Sequence, residues 1–260
     1  MIVRTSEDRE GIIESGRRLG VVLSEVAKIV APGVSTEELD RLAEKLIREG
    51  GDEPAFLDYT PERAARPYPA SLCVSVNDDV VHGIPNEAPR ILKEGDIVAL
   101  DLGLIHKGYV SDSAITVAVG NIDDTSKKLM SVTKEALENG IKAARPGNRI
   151  GDISHAIEST YKGTGFSVVR ILGGHGVGGS VHEEPWIANV GKPGTGPEVV
   201  EGMVLALEPI ANAGKATVVL ASDGYTYRTK DGSRSAHFEH TILIEKEKTL
   251  VVTRRSGEVA

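Results

Sequence analysis

Apolar positions near the start of the chain recur every three or four residues, which is the spacing of a helix with one buried face. The first run covers residues 6–31 and stops at the Pro-Gly pair 32–33. In the next run, Ser35 and Glu38 have the spacing of an N-terminal capping box, and the Gly-Gly pair 50–51 is the stop. The pattern predicts two consecutive helices.

The second half of the chain follows the same plan. A helical pattern over residues 126–144 runs into a Pro-Gly pair at 146–147, and a shorter pattern over residues 152–161 ends near Gly163. Both halves therefore contain a helix, a Pro-Gly stop and a second helix, which indicates an internal duplication.

The predicted strands repeat as well. Residues 94–101 read Glu-Gly-Asp-Ile-Val-Ala-Leu-Asp, and residues 201–208 read Glu-Gly-Met-Val-Leu-Ala-Leu-Glu. The repeat predicts an apolar strand in each half that ends on a carboxylate, Asp101 in the first half and Glu208 in the second.

A further acid precedes a β-rich stretch in each half, Asp112 in the first and Glu239 in the second. The separations between matched elements are unequal, which favours an old duplication with insertions over a regular solenoid. We predict one α+β catalytic domain over residues 1–260, with pseudo-twofold halves of about 1–122 and 123–260. Helix pairs would pack outside a curved antiparallel sheet.

Composition and charge narrow the function classes. The net charge is −8, no cluster of Lys and Arg stands out, and Arg254-Arg255 is only a short pair, which together argue against binding of nucleic acid. The single cysteine, Cys73, cannot form an internal disulfide, and we find neither an apolar signal segment nor a transmembrane run. We therefore expect a cytoplasmic enzyme or binding protein that contacts no membrane.

The four matched acids pose an electrostatic problem. The runs at 97–100 and 204–207 are continuously apolar, as in strands buried on both faces, and an unpaired carboxylate there is costly. Neither run contains Lys or Arg, whereas two divalent cations would balance four carboxylates and a neutral histidine. A solvated turn residue is the alternative for Asp101 or Asp112 alone. The duplicated placement favours a dinuclear metal site.

The glycine-rich segment around His175 has the spacing of a dinucleotide-binding loop, but its context does not fit. Pro185 follows closely and no amphipathic helix begins there, as a pyrophosphate site requires. His182 does not belong to a zincin helix, because Trp186 stands where the second histidine should be. The glycines instead allow a metal or substrate to approach the imidazole of His175 closely. The alternative is that His175 is an ordinary loop histidine without a ligand.

Other histidines and the cysteine leave alternatives open. Cys73 with His82 could form an activated thiol, but Cys73 lies in a strand-like stretch where cysteine is usually a small apolar filler. His82 is expected at a strand end. Strand alternation puts His237 on the same face as Glu239 and His240 on the opposite face, so His237 is expected behind the ligands and His240 in a structural role.

Seven short motifs follow one another in the order found in a known enzyme family. They are His82-Gly83-Ile84-Pro85, Leu100-Asp101-Leu102-Gly103, Ser111-Asp112-Ser113, Gly174-His175-Gly176-Val177-Gly178, His182-Glu183-Glu184-Pro185, Leu207-Glu208-Pro209 and Phe238-Glu239-His240-Thr241. With these motifs the chain resembles the type I methionine aminopeptidases over nearly its whole length. The resemblance implies the two-halved "pita-bread" fold, in agreement with the repeat.

The resemblance also implies a metal site and a reaction. Two divalent ions, of Mn, Fe or Co, would be held by Asp101, Asp112, His175, Glu208 and Glu239, with Asp112 and Glu239 contacting both. A hydroxide between the ions would attack the scissile carbonyl. The substrate would be the N-terminal peptide of a nascent protein whose second residue is small, and its free amine would bind a metal.

The resemblance assigns further roles around the metals. Glu208 would shuttle protons, His182 would hydrogen-bond the oxyanion, and His82 would contact the scissile amide. The methionine pocket would be formed by Tyr68, Cys73 and Tyr225, with His82 and His182 also contacting substrate. We expect a monomer, and the implied substrate is compatible with a transient contact with the ribosome.

Three positions depart from the family pattern. Val181 stands where an aromatic residue is usual, Tyr225 stands where tryptophan is usual, and the stretch 60–66 is longer than its counterpart. Two rival functions share the implied fold: an Xaa-Pro aminopeptidase or prolidase, and a non-catalytic binding protein. The usual extra N-terminal domain of the prolidases is not seen, and Asn212-Ala213-Gly214 is of the methionine type, which disfavours the first rival. All five ligand positions hold competent residues, which disfavours the second.

Overall fold

The structure is a computed structural model that describes residues 1–61, 64–255 and 257–258. Its helices are α1 (Ser6–Lys28), α2 (Thr36–Glu49), α3 (Asp124–Ala143) and α4 (Ile150–Thr160). Its strands are β1 (Glu53–Pro54), β2 (Leu72–Val76), β3 (Asp79–Val81), β4 (Ile97–His106), β5 (Tyr109–Ala118), β6 (Ser167–Val168), β7 (Gly173–Gly176), β8 (Glu183–Ala188), β9 (Val204–Leu207), β10 (Ile210–Asn212), β11 (Val218–Leu220), β12 (Tyr227–Thr229), β13 (Ser235–His237), β14 (His240–Ile244) and β15 (Thr249–Val251).

The helices confirm the predicted pairs and their caps. The Ser35 hydroxyl accepts a hydrogen bond from Glu38 N, and the Glu38 carboxylate accepts one from Ser35 N, so the predicted capping box begins α2. Helix α3 begins at Asp124, slightly before the predicted start, because the Asp123 side chain caps Ser126 N. Within the described residues, no helix has both the length and the apolar character needed to cross a bilayer.

The strands pair antiparallel throughout the described sheets. In the first half, β5 pairs along one side of β4, and β2 and β1 pair with successive parts of its other side. In the second half, the order is β15-β14-β9-β7-β8. Two three-stranded sheets, β13-β10-β6 and β11-β12-β3, complete the arrangement, which is the predicted α+β architecture of helices and antiparallel strands.

The prediction that a strand ends on Asp101 is wrong. Strand β4 continues to His106, because Asp101 is paired on both sides, with Cys73 of β2 and with Ala114 of β5. Asp112 likewise lies inside β5 and not ahead of it. In the second half the prediction is confirmed, since β9 ends at Leu207, immediately before Glu208.

Each helix pair packs on the strands of its own half and so helps to fix the strands that carry or precede the acids. Leu19 and Leu23 of α1 lie in the same fully buried cluster as Leu100 of β4. In the second half, Ile153 of α4 is buried with Leu205 of β9. Burial of one such side chain stabilises the fold by about 1.5–3 kcal/mol. Leu100→Ala should therefore cost about 2–5 kcal/mol and disturb the neighbouring Asp101.

Candidate metal centre

One cavity brings together every residue that the sequence predicted for the site. The predicted residues in its wall are Tyr68, Cys73, His82, Asp101, Asp112, His175, His182, Glu208, Tyr225 and Glu239. The wall also includes Phe56, Tyr59, Pro61, Val81 and His237. The cavity thus has an acidic and imidazole-rich part and a part lined by aromatic and aliphatic side chains.

Two of the acids are neighbours across the β4–β5 ladder. Asp101 pairs with Ala114, which lies two residues from Asp112 along β5. Residues two apart in a strand point to the same face, so the Asp101 and Asp112 side chains are diagonal neighbours on one face. Strand pairing, and not a turn, therefore places the two carboxylates side by side.

His175 reaches the acids from the second sheet. It lies on β7, where a Cβ on Gly174 would be 2.2 Å from Ala206 O and a Cβ on Gly176 would be 2.2 Å from Glu184 O. The flanking glycines are thus required by close backbone packing on both sides of the strand. His175 Nδ1 lies 2.9 Å from Gly176 O, which directs Nε2 to the acids.

The distances from His175 Nε2 define the centre. Glu208 Oε1 lies at 3.5 Å and Asp112 Oδ2 at 3.9 Å. Ligand atoms of Asp112, His175 and Glu239 all lie within 4.8 Å of one another. His237 stands behind this group, with Nε2 at 3.7 Å from Glu208 Oε2 and at 3.8 Å from Glu239 Oε2.

Burial makes the charged form of every acid in this group unfavourable. It raises the pKa of Asp101 to about 7, and it raises the pKa values of Asp112, Glu208 and Glu239 well above the usual carboxyl range. Repulsion among the four carboxylates adds to the effect of burial on the last three. A nearby positive charge is needed to keep the four acids ionised near neutral pH.

The buried histidines do not supply that charge. Burial lowers the pKa of His82 to about 4, and it lowers the pKa values of His175 and His237 to about 3. All three rings are therefore neutral near pH 7, the form in which imidazole can bind a metal.

The unpartnered atoms of the centre fit divalent cations. Asp101 Oδ1, Asp112 Oδ1 and Glu239 Oε1 are buried and accept no hydrogen bond. Buried carboxylate oxygens in native proteins normally have a donor or a metal. Carboxylate oxygens with one imidazole are donors suited to divalent Mn, Fe or Co. The residues present therefore match a metal centre in number, type and charge.

His182 lies over the centre and is held by a tyrosine. Its ring centroid is 4.5 Å from that of His175, and its Nδ1 lies 2.9 Å from the Tyr59 hydroxyl. Burial lowers its pKa as well, so the ring is neutral near pH 7. The hydrogen bond to Nδ1 leaves Nε2 free for a partner in the cavity.

His82 and Cys73 do not have the properties of an activated thiol–imidazole pair. His82 follows β3 with a left-handed φ of 57°, a conformation that is strained for a non-glycine residue and is found at functional sites. Cys73 is buried in β2, and burial raises the pKa of its thiol well above the usual value. A nucleophilic cysteine requires a lowered pKa, so the geometry disfavours the thiol alternative.

The apolar part of the cavity is built around two tyrosines. Tyr68 and Tyr225 pack edge to face at 5.1 Å, and the Tyr68 hydroxyl donates to Gly83 O at 2.9 Å. The Tyr225 hydroxyl donates to the carbonyl oxygen of Arg66. Val181 is buried in the same apolar cluster but is not among the residues that line the cavity.

The stretch 60–66, which departs from the family pattern, borders this pocket. Pro61 lines the cavity, and the Arg66 guanidinium pairs with Glu87 and donates to Asp223 O at 3.2 Å. Glu62 and Arg63 lie outside the described residues. The rim is thus fixed to two other loops through Arg66.

The model of metallopeptidase family M24 matches residues 10–246. The chain belongs to this family. This M24 peptidase is 44% identical to the methionine aminopeptidase of Aquifex aeolicus, over 97% of the chain and 99% of that protein. It is 45% identical to methionine aminopeptidase 1 of Bacillus subtilis, over 98% of the chain and all of that protein.

Solved structures agree with this placement. The crystal structure of methionine aminopeptidase from Thermotoga maritima superposes with a TM-score of 0.92 at 42% identity, covering 98% of the M24 peptidase and all of that chain. The prolidase of Pyrococcus furiosus superposes with a TM-score of 0.76 at 21% identity, and the match covers 66% of that chain. The match to the prolidase shows a shared fold over part of that longer chain, whereas the match to the methionine aminopeptidase covers nearly all of both chains.

Several wall residues of this M24 peptidase were not predicted from sequence. Phe56 and Tyr59 belong to the segment between β1 and β2, and no pattern in that segment indicates a contact with His182. Pro61 lies in the stretch 60–66, which was singled out only for its length. His237 was expected behind the ligands, and it does lie beside Glu208 and Glu239. The signal for His237 was strand alternation, which has no counterpart in the irregular segment that carries Tyr59.

Proposed function

We propose that this M24 peptidase removes the N-terminal methionine from nascent proteins whose second residue is small. The relatives named above support this activity, because they match over essentially the full length of both chains. The observation that carries the proposal is the convergence of four acids and His175 from both halves on one cavity with an apolar pocket. We propose accordingly that residues 1–122 and 123–260 act as one catalytic domain.

We propose that Asp101, Asp112, His175, Glu208 and Glu239 would hold two divalent metal ions. Divalent Mn, Fe and Co each suit this set of donors, and supply in the cell decides among them more than affinity does. When bound, the ions offset the charge of the carboxylates, acidify a water molecule and polarise the scissile carbonyl. The unpartnered carboxylate oxygens support this assignment.

The protein's own groups would then bind and orient the peptide. Glu208, at the edge of the cavity beside His175 and His237, would accept the proton of the attacking water and deliver it to the leaving amine. His182 would donate from Nε2 to the oxyanion, and His82 would contact the scissile amide. Because both rings are neutral near pH 7, they would act as hydrogen-bonding groups without adding charge.

The pocket explains the substrate class that we propose. Tyr68, Cys73 and Tyr225 offer an apolar surface that an unbranched thioether side chain can fill, and a charged first residue would lose its hydration there. The free amine of the peptide would lie among the acids of the centre, which restricts cleavage to the first residue. A second residue of small size would fit beside the metal ligands.

The setting of the enzyme follows from its proposed substrate. We propose that it works in the cytoplasm as a monomer, in transient contact with the ribosome from which its substrates emerge. The buried, unpaired Cys73 is compatible with a reducing compartment.

The experiment is a comparison of kcat/KM over matched peptides with the metal-loaded enzyme. We expect Met-Ala-Ser to be cleaved well and peptides with a bulky second residue to be cleaved poorly. Norleucine should be tolerated at the first position, because one methylene changes discrimination by only about 1–3 kcal/mol. A preference for Ala-Pro would support the prolidase alternative. Cleavage of N-acetylated methionine peptides would contradict the role of the free amine.

A further inference from the structure

A buried arginine lies behind the acids of the metal centre. Arg255 is 5% exposed, and among the residues that the structure describes it is the one Lys or Arg that is buried. Its guanidinium donates to Ser113 Oγ at 2.8 Å and to Ala114 O at 3.3 Å. A buried charge is costly unless its hydrogen bonds are well made, so these contacts are specific. They lie on β5, immediately after Asp112.

Ser113 connects this arginine to a second ligand-bearing segment. The Ser113 hydroxyl donates to Glu239 O at 2.8 Å, and Glu239 N donates to Ala114 O at 2.9 Å. A charged donor polarises the hydroxyl that accepts its hydrogen bond and so strengthens the bond which that hydroxyl donates. Arg255 therefore contacts both groups that fix the main chain of Glu239.

The Asp112 main chain is tied to the same region. Asp112 N donates to Thr241 Oγ1 at 2.9 Å, and the Thr241 hydroxyl donates to Asp112 O at 2.7 Å. Thr253 Oγ1 accepts from Thr241 N at 3.0 Å. The segment that carries Thr253 and Arg255 thus supports β5, on which Asp112 lies, and the start of β14, which immediately follows Glu239.

Glu258 balances the charge of Arg255. Its Oε1 accepts from Arg255 Nη2 at 2.9 Å and from Nε at 3.2 Å, and its Oε2 lies 3.3 Å from His240 Nε2. The guanidinium therefore directs two nitrogens to Glu258 and the third, Nη1, to Ser113 and Ala114. Arg255 and Glu258 together carry no net charge, and Nη1 adds a directed hydrogen bond to Ser113.

From this arrangement we infer that Arg255 is a positioning residue for the metal centre: through Ser113 it holds the Glu239 main chain against β5. Glu239 and Asp112 then keep the separation at which their carboxylates, with His175, converge on the proposed metal centre. The inference rests on the proposed two-metal function. Loss of a group that orients a metal ligand typically lowers metal affinity by about 10–100-fold.

The test uses the full chain after demetallation, with the Mn(II) dissociation constant measured by calorimetry. Arg255→Met is combined with Glu258→Gln, so that neither charge is left buried alone. Ser113→Ala interrupts the connection with a minimal change of volume. Arg255→Lys retains the charge and one donor. Arg254→Met is the matched control, since Arg254 is the neighbouring arginine and its Nη1 lies 3.9 Å from Glu138 instead.

We expect the double variant and Ser113→Ala to bind Mn(II) about 10–100-fold more weakly than the control. Arg255→Lys should recover most of the affinity, and Mn(II) above the new dissociation constant should restore turnover of Met-Ala-Ser in the double variant. Equal affinities overturn the inference. A loss that neither lysine nor excess Mn(II) reverses also overturns it, because it would reflect damaged packing.

This experiment separates the proposed function from the role of Arg255. If wild-type protein neither binds Mn(II) nor cleaves Met-Ala-Ser, the proposed function is wrong. If wild type does both and the variants equal the control, the role of Arg255 alone is refuted.

Discussion

Removal of the Tyr59 hydroxyl should slow turnover through His182 and leave the metal centre intact. Tyr59 Oη lies 2.9 Å from His182 Nδ1, and burial lowers the pKa of His182, so the ring is neutral near pH 7. We assign the donor role to the tyrosine, which leaves the single ring proton on Nε2. Nε2 is then the nitrogen that can donate to the oxyanion of the tetrahedral intermediate.

The size of the effect follows from these contacts. Tyr59→Phe removes one hydrogen bond worth about 1 kcal/mol, which corresponds to roughly a fivefold loss of kcat. His182→Ala removes the proposed oxyanion donor itself and should lower kcat by about 10²–10³-fold. Because Tyr59 acts through His182, the double variant should be no slower than His182→Ala.

The assay is kcat for a Met-Ala-Ser peptide at saturating metal, with bound metal measured for wild type, both single variants and the double variant. Additive losses in the double variant would refute the coupling between the two residues. Loss of metal from His182→Ala would mean that His182 is a ligand, and the assigned role would then be wrong.

Three further predictions concern other parts of the cavity. Cys73→Ser should leave kcat nearly unchanged, since burial raises the pKa of the thiol, and abolished turnover would revive the nucleophile alternative. Tyr225→Phe should raise KM for methionine peptides severalfold at unchanged kcat, because the rim loses a hydrogen bond to Arg66 worth about 1 kcal/mol; a large fall in kcat would be inconsistent with a pocket role. In the demetallated enzyme, Tm should rise as the pH falls from about 8 to about 6.5, because Asp101 has a folded-state pKa of about 7 and an unfolded value of about 3.9, so the folded state binds more protons in that window. Below about pH 6.5 the buried histidines oppose this trend, because their lowered pKa values mean that the unfolded state binds more protons there. A Tm that falls as the pH is lowered from about 8 to about 6.5 would contradict the electrostatic account.

Much of the architecture could be predicted from local patterns. The helical periodicity and the capping box at Ser35 are local signals, and the structure confirms the four helices that they predicted. The acids could be recognised because they recur at matched places in both halves. Local signals failed at Asp101, where an aspartate after an apolar run suggested a strand end. Pairing with β2 and β5 overrides that local preference and carries β4 through the acid.

Features that depend on long-range contacts could not be predicted. Tyr59 and His182 are separated by 123 positions, and neither lies in a periodic element that would fix its partner. Arg255 appeared from sequence to be part of a short basic pair, yet the structure buries it against β5. In each case the contact depends on how separate segments pack, and no local spacing encodes it.

Peptide cleavage by this enzyme should require metal ions held by the buried acids. The most direct measurement is turnover of a Met-Ala-Ser peptide by rigorously demetallated protein, titrated with Mn(II), Fe(II) or Co(II) under anaerobic conditions. We predict no turnover without metal, activity that rises with added metal and saturates at or below two equivalents, and a Tm that rises with metal by the linkage of binding to folding. Full activity in the demetallated protein would contradict the account.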